Sequence, residues 1–266
     1  MTMGRRVLVT NDDGIDGPGL RVLTAHLVDH GYEPIVIAPN RDYSGAAGSL
    51  LSLGVADPSH DQTQLRYERR VLPEAPDVEA IALDGPPALC ALMAVREAFG
   101  PAPDLVASGI NFGLNAGPAV LHSGTVNAAL TAARAGIPSL AISASFSPDH
   151  PDDMRYDTAA IVAMRVLDKL PASRHSLVSL NVPRCDVTEL RGLRSAPLAS
   201  SFRWRSFVES IDDGVITRTY RESDEELPGN TDSSLLEQGF ATMSALIGIS
   251  AVDCTDLVES VTETVL

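Results

Sequence analysis

The chain has 266 residues, 44% of them hydrophobic, and a formal net charge of −15 from 35 acidic and 20 basic side chains. That length and apolar content support one large domain or a domain with an appendage, and they exclude wholesale disorder. The negative charge argues against binding a nucleic-acid backbone or an anionic membrane, so an anionic substrate needs local positive charge from a cation or a helix N-terminus.

Cys90, Cys185 and Cys254 are far apart in sequence. This disfavours a thiolate metal site or a disulfide framework and fits a reducing cytoplasm. Neither a signal peptide nor a bilayer-spanning apolar run is expected.

Residues 6–14 read R-V-L-V-T-N-D-D-G. Val7-Leu8-Val9 is a short apolar run cut off by polar residues, the pattern of a buried strand. Asn11, Asp12 and Asp13 then stand at its carboxyl end, where open α/β sheets bind ligands. Two adjacent carboxylates there call for positive charge, and a hard divalent cation on oxygen ligands supplies it. An Asx-type turn with two solvated carboxylates is the plainer alternative. A helix is predicted over 20–30, with Leu20, Leu23, Leu27 and Val28 on one face and Gly31 as its stop. A strand within 34–39 completes a βαβ unit, which lacks the G-x-G-x-x-G dinucleotide fingerprint.

The loop 40–50 leaves that strand near Asp12 and Asp13 and offers Arg41 and Ser44, although Ser44 also reads as an ordinary loop serine. Residues 54–77 read as one or two exposed strands. A strand over 78–83, a helix over 88–99 with Cys90 in its core face, and a parallel strand over 104–110 follow. The next residues, N-F-G-L-N-A-G-P, form a glycine-rich loop suited to a plain connection or to close approach of a ligand. Ser123-Gly124-Thr125 precedes a helix over 127–135, where it either caps the helix or presents N–H groups to a phosphate.

A strand over 139–143, a solvated acidic loop with Asp149, Asp152 and Asp153, a helix over 157–170 and a strand over 177–182 complete residues 1–185, read as a Rossmann-like metal-binding unit. The composition then changes. Residues 186–266 carry β segments over 190–198, 203–210 and 215–220, the last two joined by a D-G hairpin turn that serves as an oligomer arm or a local meander. An acidic, flexible-looking stretch over 221–232, a strand over 239–247 and a short helix over 253–265 end the chain. The fold class is α/β: a mostly parallel sheet sandwiched by helices, with a C-terminal extended β-hairpin.

The loops after the first, second and fourth parallel strands bring Asp12, Asp13, Ser44 and Asn111 to one sheet edge. Four oxygen ligands completed by water suit magnesium or manganese. With T-N-D-D-G-I-D-G-P-G at 10–19, A-P-N-R-D-Y-S-G-A at 38–46, S-G-I-N-F-G-L-N-A-G at 108–117, S-G-T-V at 123–126 and T-D-x-x-x-L-E-Q-G-F at 231–240, the chain resembles the survival protein E family of nucleotide phosphatases.

The resemblance implies metal-dependent hydrolysis of nucleoside monophosphates to nucleoside and phosphate. It implies one divalent cation (Mg2+ or Mn2+) on Asp12, Asp13, Ser44 and Asn111, and substrate or phosphate contacts at Asn115, Ser123, Gly124 and Thr125. Asp12, Asp13 and Asn115 become the expected catalytic residues, and a homodimer or homotetramer built through the C-terminal segment is the expected assembly. The chain departs from the family pattern at Asn40, Pro118, Ala119 and Thr131, none of them a proposed ligand. A phosphatase dedicated to an unusual nucleotide and a catalytically inactive nucleotide binder are the competing readings. Water attack and an aspartyl-phosphate both remain open.

Overall fold

Val7, Leu8 and Val9 are all fully buried, because the first strand lies mid-sheet with helices on both faces. That is why its apolar run is continuous rather than alternating. The computed structural model describes residues 4–50, 64–147, 149–150, 153–170, 177–201, 204–223, 227–248, 253 and 255. In chain order the elements are β1 (Arg6–Thr10), α1 (Pro18–Asp29), β2 (Glu33–Pro39), β3 (Tyr67–Leu72), β4 (Ala75–Leu83), α2 (Pro87–Val95), β5 (Leu105–Phe112), a 3₁₀ turn (Gly117–His122), α3 (Gly124–Arg134), β6 (Ser139–Ala144), α4 (Tyr156–Leu167), β7 (Leu177–Val182), β8 (Leu193–Ser195), β9 (Trp204–Asp212), β10 (Val215–Glu222), α5 (Asp232–Glu237) and β11 (Ala241–Leu246).

Nine strands form one sheet in the order β3-β4-β2-β1-β5-β6-β7-β11-β8. The six from β4 to β7 are parallel, while β3 and β11 run antiparallel to their inner neighbours. Winding proceeds outward from β1 in one direction through β2 and β4, and in the other through β5, β6 and β7. The reversal between β1 and β5 opens a crevice at their carboxyl ends.

Successive residues of β1 serve opposite layers. Val7 and Val9 join the core under α1 and α4, while Leu8 joins the core under α2 and α3.

Local signals account for most boundaries. Pro18 stands in the first turn of α1, where its missing N–H costs nothing. Val28 is off the buried stripe, 43% exposed. Helix α2 ends at Val95, short of residue 99, and α3 begins at Gly124, three residues before its expected start, with Ser123 as its cap.

The hairpin turn between β9 and β10 has positive φ at Asp213 (45°) and Gly214 (79°), the requirement of the tight turn that D-G signals. Two features depart from expectation. The β segment over 190–198 contracts to the three residues of β8, and α5 forms just after the acidic stretch. Residues 54–63, Asp152, Cys254 and, apart from 253 and 255, the expected last helix lie outside the described residues. Strands β8 and β11 join the sheet built before residue 185, whereas β9 and β10 form a separate two-stranded ribbon. Among the described residues no helix is long and apolar enough to cross a membrane.

Close packing of α1 on the sheet edge depends on Gly19. A Cβ there would lie 2.0 Å from the Ile110 carbonyl oxygen. Gly19→Ala is expected to cost about 1–3 kcal/mol and to lower the thermal midpoint by several degrees. Gly229→Ala, where a Cβ meets nothing within 4 Å, is the control expected to leave the midpoint in place in the same calorimetric scan.

Candidate active site

Asp12 sits just past the end of β1 and is 3% exposed. Its carboxylate is held by the first turn of α3: Oδ2 accepts from the Gly124 N–H at 2.9 Å and Oδ1 from the Thr125 hydroxyl at 2.5 Å. Glycine at 124 makes this approach possible, since a Cβ there would lie 2.7 Å from the Asp12 Cβ. A carboxylate at a helix N-terminus is favourable. Burial nevertheless dominates and raises the Asp12 pKa, with the Thr125 and Gly124 bonds opposing it.

Asp13 accepts from the Phe112 N–H at 3.2 Å. Burial pushes its pKa up to about 6, with the neighbouring Asp12 charge acting in the same direction and the Phe112 N–H against it.

The other expected residues arrive from β2 and β5. The Tyr43 N–H donates to the Asp12 carbonyl at 2.8 Å, which draws the loop after β2 against the loop after β1. Ser44 is exposed on that loop, and its N–H and Oγ–H both donate to Asp42 Oδ1 at 2.6 Å. At the end of β5, the Asn111 amide nitrogen donates to the Gly113 carbonyl at 2.7 Å, and its Oδ1 lies 3.4 Å from the Thr125 hydroxyl. Asn115 is fixed on three sides: its N–H donates to Asn181 Oδ1, its carbonyl accepts from Asn181 Nδ2, and its Nδ2 donates to Ser143 Oγ.

Asp12, Ser44, Asn111, Asn115 and Ser123 line one open cavity of about 300 Å³, with Phe112 and His122 in its wall. Asp13 lies beside it through its bond to Phe112. Gly124 and Thr125 stand behind Asp12, their donors engaged by it, while Ser123 Oγ caps α3 by accepting from the Val126 N–H at 3.0 Å. A larger cavity of about 490 Å³ lies between β3, β4 and the end of α2. Among the described residues its lining holds no paired carboxylates, and the smaller cavity is the candidate site.

Some participants were not singled out from the sequence. Asn181 and Ser143 hold Asn115. Asp232, at the start of α5, is fully buried and accepts from the Gly117 N–H at 2.7 Å and the Ala199 N–H at 2.8 Å, tying down the glycine-rich loop. The T-D pair at 231–232 was the available signal for it. Tyr156 at the head of α4 is pushed up in pKa by burial and by the Asp13 charge.

The donor set fits a hard divalent cation. It offers two carboxylates and neutral oxygens from Ser44 and Asn111, and no Lys or Arg lines the cavity among the described residues. Among the described residues no group of three or more His, Cys, Asp or Glu could hold a metal ion, so the fit depends on the neutral oxygens of Ser44 and Asn111 beside the two carboxylates.

Because the folded state holds the Asp13 proton more tightly than the unfolded state, ionising Asp13 lowers stability. The penalty is absent below about pH 4 and full above about 6. In the presence of chelator, Asp13→Asn is therefore expected to melt a few degrees above the unmodified chain at neutral pH and to lose that advantage below about pH 4. Melting curves recorded across that range check the sign, and a pH-independent difference would contradict it.

A family model described as Survival protein SurE matches residues 7–205. The 5'-nucleotidase SurE of Dehalococcoides mccartyi (strain CBDB1) is 34% identical over 253 residues, covering 91% of this chain and 88% of that protein. The 5'-nucleotidase SurE of Desulfovibrio desulfuricans is 32% identical over 265 residues, covering 94% of this chain and 98% of that protein. The crystal structure of the SurE protein from Aquifex aeolicus superposes with a TM-score of 0.72 at 25% identity, covering 97% of this chain and 99% of that one. With its paired carboxylates at the winding reversal and this breadth of match, the chain belongs to the SurE family.

Proposed function

We propose that this protein is a metal-dependent phosphomonoesterase that hydrolyses nucleoside monophosphates to nucleoside and phosphate, the 5'-nucleotidase activity named for its relatives. One observation carries the reading: a buried and a partly buried carboxylate, both raised in pKa and with no cationic side chain in the cavity among the described residues, open onto neutral oxygen donors at the sheet's ligand-binding edge. Asp12, Asp13, Ser44 and Asn111 would hold one Mg2+ or Mn2+. When bound, such a cation neutralises phosphoryl oxygens and makes water more acidic.

The chain's own residues supply the positioning. Thr125 and Gly124 fix Asp12, and Phe112 fixes Asp13 through its backbone. Asn181 and Ser143 hold Asn115 in the cavity wall, from which it would contact the substrate. Both Asp12 oxygens already accept hydrogen bonds, which suits a ligand better than a free nucleophile and favours water attack. His122 stands in the same wall, and imidazole is the usual side chain for proton transfer to a leaving oxygen.

The protein acts as a homodimer or homotetramer in this reading. The register of β9 and β10 puts Val208, Ile211, Ile216 and Tyr220 on one face of the ribbon, and each is 57–70% exposed. Such a patch on a two-stranded ribbon calls for a partner surface. Free Cys90 and Cys185 suit a reducing cytoplasm.

The test of activity is phosphate release from a panel of nucleoside monophosphates with Mg2+, Mn2+ or chelator. Release is expected only with metal, and Asp12→Asn is expected to lower kcat by at least about 100-fold. Turnover that persists in chelator or in the variant would overturn the reading. For assembly, the double variant Val208→Asp, Ile216→Asp is expected to sediment at a smaller mass than the unmodified chain, and an unchanged mass would remove the ribbon from the interface.

A further inference from the structure

Two phenylalanine rings stand exposed at the rim of the cavity. Phe112 ends β5, lines the cavity and is 46% exposed, while Phe146, just past β6, is 38% exposed. Their centroids are 4.7 Å apart with the planes inclined by 46°. The chain has only six phenylalanines, and leaving two of them in water together forgoes burial that each would gain in the core. Contiguous exposed aromatic surface beside a polar cavity is the form of a ligand-binding wall.

The position defines the ligand. Phe112 directly follows Asn111, and its backbone N–H reaches Asp13. A substrate phosphate at the cation that the carboxylate and asparagine oxygens would hold therefore leaves the rest of the molecule on the side of the rings. Beyond Phe112 the wall includes Gly113, Leu114 and Ala119, which lack polar side chains, and His122, which has one.

We infer that Phe112 and Phe146 form a stacking platform for the nucleobase of the substrate, so that the enzyme recognises a flat aromatic ring. This rests on the nucleotidase reading above. Stacking tolerates any base, because every base presents a π-face, and it favours purines over pyrimidines through their larger area.

The experiment compares adenosine 5'-monophosphate with ribose 5-phosphate, which keeps the phosphate and sugar and lacks the base. Kinetics of the full-length chain, Phe112→Ala, Phe112→Trp and Phe146→Ala are run beside calorimetric binding of adenosine 5'-monophosphate. In Phe112→Ala the ratio of KM values, nucleotide over ribose 5-phosphate, is expected to rise about 5- to 100-fold, with a smaller rise in Phe146→Ala and a return in Phe112→Trp. A change of equal size for both substrates, or no change for either, would overturn the platform. A shift in sedimenting mass in Phe146→Ala would also overturn it, since the rings would then belong to a subunit interface. The two readings fail separately. If the unmodified chain turns over neither substrate yet binds the nucleotide in a Phe112-dependent way, the platform stands and the hydrolase reading falls.

Discussion

The hydrogen bonds between the Asp12 carboxylate and the first turn of α3 join the chain's first strand to a helix more than a hundred residues away. A carboxylate this buried is costly to ionise, and the helix N-terminus offsets part of that cost with directed N–H and O–H donors. The rest of the site depends on this arrangement. With Asp12 fixed, the Tyr43 N–H bond to its carbonyl draws the second loop in, and the Thr125 hydroxyl also reaches Asn111. One helix turn thus sets the relative positions of groups from three strands.

The same arrangement engages Gly124 and Thr125 from within the protein. An S-G-T sequence at a helix start has two physical uses, holding an anion from outside or holding a carboxylate from within. In this structure the Gly124 and Thr125 donors face the protein's own Asp12, and Ser123 is the member of the trio that lines the cavity. A chain with a net charge of −15 has an added reason to gather its site charge around two carboxylates. Its overall field opposes the approach of a phosphate, and a bound divalent cation would reverse that sign locally.

Much of the architecture was legible because it rests on local signals. The continuous run Val7–Val9, the D-D pair after it and the D-G turn at 213–214 each report a nearby physical constraint. A strand buried on both faces is apolar throughout, a strand end exposes its polar residues, and a hairpin turn needs positive φ. Residues that act across the fold were harder to read. Asn181 lies in a strand whose pattern says only that it is buried, and nothing adjacent to it indicates that its side chain clamps Asn115. Helix α5 was hidden because acidic residues before it resemble a solvated loop, and its short span of six residues leaves little periodicity to detect.

Asp232 has a consequence for the order in which the protein is made. It reaches back 115 positions to the Gly117 N–H and also holds Ala199. All six parallel strands precede it in the chain, so a growing polypeptide can assemble its central sheet and bring Asp12 to α3 while the glycine-rich loop still lacks its anchor. The glycine-rich loop therefore takes its anchor from a residue that follows the whole parallel sheet in sequence, whereas the contact of Asp12 with α3 lies entirely within the residues before it.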